Sequence, residues 1–144
     1  MTPRDLRYAL TRPPVLIGAG IQAVLMTTYL TSVAYEPPGT VMLLGLAGGA
    51  AAGVVSTDPT GAWAAGAKAA GLGFVIWGLA HVGWGLISSL QHGTELFLIG
   101  NLTFVISLSL WAFPAYIVLG TVSAPVTAIP VSFVRRRLRL SGLH

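Results

Sequence analysis

The chain has 144 residues, of which 54% are hydrophobic and 8% charged, far below the roughly 25% charged of a soluble domain. So few charges cannot cover a water-facing surface, so the expected solvent is lipid and the expected organisation one transmembrane domain over 1–144. The net charge of +4 sits on basic residues flanking apolar runs, which fits membrane lipids rather than nucleic acid, and the lack of cysteine excludes disulfides and thiolate metal sites.

The first predicted span covers 14–34, with Pro13 and Pro14 as a helix-start signal. About 20 residues at a rise of about 1.5 Å cross a hydrocarbon core of roughly 30 Å. Ser32, Val33 and Ala34 also satisfy the small-x-small rule for signal cleavage. The run is long enough to span, and an uncleaved first helix is the expectation. Residues 35–39 then form a tight outer turn. The second span, 40–56, is short and rich in Gly and Ala.

A cytoplasmic turn follows at 56–61, where Thr57 or Asp58 can cap the next helix and Pro59 sits in its first turn. The third span, 61–90, reaches about 45 Å if helical, so its first turns project into the inner interface. Lys68 falls about 33 Å before Leu90, at the inner edge of the hydrocarbon, where its side chain can snorkel. Trp63 suits the interfacial aromatic belt. Residues 91–95 form a second outer turn, with Thr94 as its N-cap.

The fourth span starts at Leu96. Its apolar run continues to Val134 through Pro114, Pro125 and Pro130, too far for one crossing. Two crossings would carry the terminal arginines outside. The reading is therefore one helix over 96–120, kinked at Pro114, then a Pro-containing stretch and a basic interfacial tail at 131–144. This makes an all-α bundle of four transmembrane helices. Arg4, Arg7 and Arg12, then Lys68, then Arg135, Arg136, Arg137 and Arg139 all fall on one side of it. The positive-inside rule makes that side the cytoplasm, so both termini are cytoplasmic and the cell membrane is the expected location. Lys68 and the four terminal arginines are the expected headgroup anchors, with docking to an acidic partner as the sharper alternative for the tail.

Two constellations stand out on the helix faces. Gly45, Gly49 and Gly53 repeat at four-residue spacing on the second helix, with Gly48 and Ala52 beside them. The third helix answers with Ala62, Gly66 and Ala70, and with Gly61, Ala65, Ala69 and Gly73. Small faces let backbones approach closely in lipid, so a tight hairpin of these two helices is expected. Packing within one chain and an oligomer interface or pore lining are both open readings.

The second constellation is polar. Phe74, Trp77, His81, Trp84 and Ser88 share one face, placing a histidine about 13 Å from Leu90 and near the midplane. Gln22 on the first helix lies at similar depth. An intramembrane ionisable group is a functional candidate. The bland alternative is a neutral His81 hydrogen-bonded to Gln22, Ser107 or a backbone carbonyl; a proton, substrate, quinone or lipid-headgroup contact is the sharper one. His92 lies about 16 Å from His81, too far to share a haem. Asn101 is an ordinary interhelical hydrogen-bonder, and Glu95 with His92 lacks a third metal ligand. No catalytic set, metal cluster or cofactor motif is present, and no activity as an enzyme is expected.

The stretch 44–53, a short polar turn and the stretch 61–73 resemble a hairpin of small four-helix membrane proteins of halophilic archaea. That resemblance implies a fold and no activity. Small multidrug exporters share the size and span number, but they need a carboxylate in the first span, where this chain has Gln22. The expected function is a structural or accessory membrane subunit. It would form a homo-oligomer or dock to a larger complex through its small-residue faces. The alternative is a small oligomeric channel or transporter with a polar path near His81 and Gln22.

Overall fold

A computed structural model of the chain describes residues 10–32 and 38–141, with side chains over 10–29 and 43–138. Arg4, Arg7, residues 33–37 and the side chain of Arg139 lie outside the described residues. The described chain is all α. Its four helices are α1 (Pro13–Ser32), α2 (Pro38–Val55), α3 (Pro59–His92) and α4 (Leu96–Ser141). Helices α3 and α4 are each long and apolar enough to cross a membrane.

Local chemistry sets the helix ends. Asp58 is the N-cap of α3: its carboxylate accepts from the Thr60 backbone N–H at 2.9 Å, and Pro59 follows at the first helical position. At the other end Gly93 adopts φ 64°, the left-handed conformation that glycine takes without strain, and its N–H returns to the Ser89 carbonyl. Ser89 then bridges to α4 by accepting from the Leu98 N–H at 2.9 Å. Thr94 accepts from the Leu96 N–H at 3.3 Å.

The reading of α4 as ending near Gly120 is overturned. The helix runs unbroken for 46 residues with Pro114, Pro125 and Pro130 inside it. Each proline removes one backbone donor and costs about 3 kcal/mol in an isolated helix interior. Here the second half of α4 is a packing surface: Ala124 and Ala128 are buried, the former against Gly53 and Gly66. The described part of the basic tail is the end of this helix rather than a separate segment.

The helices run round the bundle in the order α1, α2, α4, α3, with α2 and α3 also touching across the diagonal. A central cluster joins Ala23 and Met26 of α1, Ala70, Phe74 and Trp77 of α3, and Leu108, Ala112 and Tyr116 of α4. Phe74 is its hub, with ring centroids 5.5 Å from Trp77, 5.4 Å from Phe113 and 5.3 Å from Tyr116. A smaller cluster of Ala62, Ala124 and Ala128 closes the opposite end.

Helices α2 and α3 touch, but the glycines expected to line that hairpin meet other helices. A side chain on Gly45 would strike Tyr116, one on Gly49 would strike Gly120 and Ser123, and one on Gly53 would strike Ala124 and Thr127. All of these belong to α4. Gly66 likewise faces Gly120 and Ala124, whereas Gly73 faces Ala19 and Gln22 of α1. Ala70 is buried against Gly120. The glycines of α2 and α3 thus chiefly seat α4 and α1, while Ala52 of α2 and Ala69 of α3 come together beside Gly18.

Candidate functional site

Gln22 is fully buried, and its amide joins three helices. Nε2 donates to the Ala70 carbonyl of α3 at 2.9 Å, and Oε1 lies against Gly48 of α2, where no side chain would fit. Oε1 accepts no hydrogen bond among the described residues. Gln22 therefore occupies a packed junction.

His81 lies elsewhere. Ala70 precedes it by 11 residues, about 16 Å along α3. The buried Phe74 and Trp77 fall in that interval. The imidazole is half-buried, stacks on Trp77 at 5.3 Å and 29°, and meets Phe104 at 5.5 Å. Among the described residues it makes no hydrogen bond, so neither Gln22 nor Ser107 is its partner. The polar pair inferred from depth is thus divided between two environments.

Asn101 is the residue that the structure brings to His81. Both line a groove of about 540 Å³ with Thr27, Trp77, Ala80, Trp84, Ser88 and Phe97. The Asn101 Nδ2 donates to the Phe97 carbonyl at 2.6 Å, and Gly85 makes room for the side chain, since a methyl there would meet Asn101 at 2.9 Å. The aromatic stripe read from α3 accordingly splits. Phe74 and Trp77 enter the core, and Trp77 also joins His81, Trp84 and Ser88 around the groove. Phe97 and Thr27 were not anticipated there; the pairing of α3 with the start of α4 and the end of α1 brings them in. Within the chain, the turn length after Leu90 was the one available signal for Phe97.

His92 is outside the groove. Its Nδ1 lies 2.8 Å from the Ser88 carbonyl, in the last turn of α3, and its ring packs on Phe97 at 4.9 Å. Among the described residues no three His, Cys, Asp or Glu side chains lie close enough together to hold a metal.

At the opposite end of the bundle, the basic residues divide. Arg135 turns inward: Nη1 donates to the Ser56 carbonyl at 3.0 Å and Nη2 to the Val54 carbonyl at 2.7 Å. It thereby satisfies carbonyls left open at the end of α2. Two of its guanidinium nitrogens are committed within the chain. The fork of a guanidinium suits two carbonyls better than a point charge would. Arg136 lines a small cleft with Thr57, Pro59 and Ser132, and Arg137 is exposed. Lys68 is half-buried on α3.

Hydrogen bonds from the Thr60 hydroxyl at 2.8 and 2.7 Å, together with the Thr60 backbone, hold the Asp58 carboxyl below the usual carboxylate range. The groove, by contrast, contains no carboxylate and no fixed charge. Its chemistry is aromatic surface with a few hydrogen-bonding groups, suited to holding an uncharged molecule. No family model, no curated protein and no solved structure matches the chain.

Proposed function

We propose that this chain is a four-span integral protein of the cell membrane, with both termini cytoplasmic, that acts as an accessory subunit by binding rather than by catalysis. The membrane assignment is supported by the length and apolarity of α3 and α4 and by large apolar side chains on the outside of both, such as Leu79, Leu90 and Leu110. The clustering of basic residues supports the orientation. The likeness to small four-helix membrane proteins of halophilic archaea accords with the span number and adds no activity.

The observation that carries the binding role is the groove between α1, α3 and α4, where His81 and Asn101 meet the aromatic walls. The small-residue faces of α2 and α3 seat helices of the same chain, which supports the groove as the binding surface. A polar path joining His81 to Gln22 has no support, because buried Phe74 and Trp77 intervene.

The test is native mass spectrometry of protein extracted in mild detergent. The wild type is expected to retain a bound molecule or a stoichiometric partner, and Ala80→Trp, which fills the groove, is expected to lose it without a fall in melting temperature. Identical spectra for the two proteins would overturn the binding role. Solute flux in proteoliposomes that His81→Ala abolishes would favour the transporter instead.

A further inference from the structure

The geometry points to a ligand class for the His81 groove: an uncharged planar ring with carbonyl oxygens and an apolar tail, as in the benzoquinones. This rests on the reading that the groove is the binding site.

Shape and charge narrow the occupant first. Trp84 and Phe97 line the groove with aromatic surface, and buried Trp77 backs the His81 ring by stacking on it. The volume, about 540 Å³, falls within the range of small-molecule sites. No Asp, Glu, Lys or Arg lines the groove, so an ionic ligand would be desolvated there without a counter-charge.

Hydrogen bonding narrows it further. The Trp84 indole can only donate, whereas neutral His81, Ser88 and Asn101 each hold at least one N–H or O–H and an acceptor as well. Asn101 uses one Nδ2 hydrogen on the Phe97 carbonyl and keeps the other. The Ser88 hydroxyl, the His81 ring and the Trp84 indole have no hydrogen-bond partner among the described residues. A ligand with acceptors on more than one edge engages the donor-only Trp84 indole together with these groups, which ring carbonyls do and an acyl chain does not. Trp84 is 63% exposed and marks the open side, where an apolar tail passes into lipid. Binding alone is assigned, with no electron transfer.

The experiment uses the full chain in nanodiscs carrying Trp63→Phe and Trp111→Phe, which leaves Trp77 and Trp84 as the fluorophores. The probe is a decyl-tailed 1,4-benzoquinone. Saturable quenching is expected, with Kd raised at least five-fold by His81→Leu and by Asn101→Leu, and decanol is expected not to compete. Circular dichroism checks folding. Ser88→Ala, which removes a single oxygen, carries the comparison if a leucine variant fails to fold, and should raise Kd about two-fold. Quenching that rises linearly with quinone, equal Kd in all variants, or equal competition by decanol would each overturn the assignment. The two readings fail separately. If Ala80→Trp releases a molecule that the quinone does not displace, groove binding stands and the ligand class falls. If Ala80→Trp releases nothing, groove binding itself falls.

Discussion

Gly48 and Gln22 show how one small residue can fix the place of a polar one. The Gln22 amide reaches the Ala70 carbonyl by passing over the bare backbone of Gly48. A methyl in that space forces the amide aside, and overpacking of this kind costs about 1–3 kcal/mol. Gly48→Ala should lower thermal stability in detergent by that amount, and Gln22→Ala in the same chain should restore part of it. Additive losses in the double variant would refute the contact. At Arg135, Ala substitution should cost roughly 1.5–3 kcal/mol, the usual range for hydrogen bonds to a charged group. The loss should show as faster amide exchange at the end of α2, and Lys should recover only part of it.

Asp58 adds a pH dependence at the same scale. Its carboxyl is held low in the folded chain, so its contribution to stability is present above the ordinary carboxylate range and lost as pH falls through the depressed folded value. Protection of the α3 N-terminus, corrected for intrinsic exchange, should decrease in that acid window. Asp58→Asn should remove the decrease. Asp58 and Pro59 were legible in the sequence because a cap is local. The partners of Gln22 were not, because depth along a helix says nothing about which neighbour it faces.

Among the elements, α4 carries the clearest lesson. The apolar run from Leu96 to Val134 is too long for one crossing, and two crossings would carry the terminal arginines outside; on that basis the sequence reading stopped α4 near Gly120. In the bundle, Gly120 and Ala124 fit against Gly66, and the helix continues because its second half has surfaces to bury. Gly66→Val should therefore abolish cooperative folding or lower the melting temperature sharply. Gly20 and Gly100 have open space around the position a methyl would take. Alanine at either should be neutral to stabilising, by up to about 1 kcal/mol from helix propensity. If Gly66→Val proved as mild as Gly100→Ala in a thermal melt, the close approach of α3 and α4 would be wrong.

For the molecule as a whole, the topology proposal is directly open to test because the chain has no cysteine. A single cysteine at Thr94 should react with an impermeant maleimide from outside intact cells, and one at Thr57 only after permeabilisation. The reverse pattern would invert the orientation. Among the described residues, composition, hydrophobic run length and the distribution of Lys and Arg settled the all-helical class, the four long helices and most of their ends, since each depends on local sequence or on transfer to an apolar medium. The order α1, α2, α4, α3 round the bundle was beyond that reach. It depends on which small faces accept which neighbours, a choice among pairings that differ little in composition. That choice also separated His81 from Gln22 and joined it to Asn101, because a side chain's depth is written in its helix, whereas its company depends on how the helices pack.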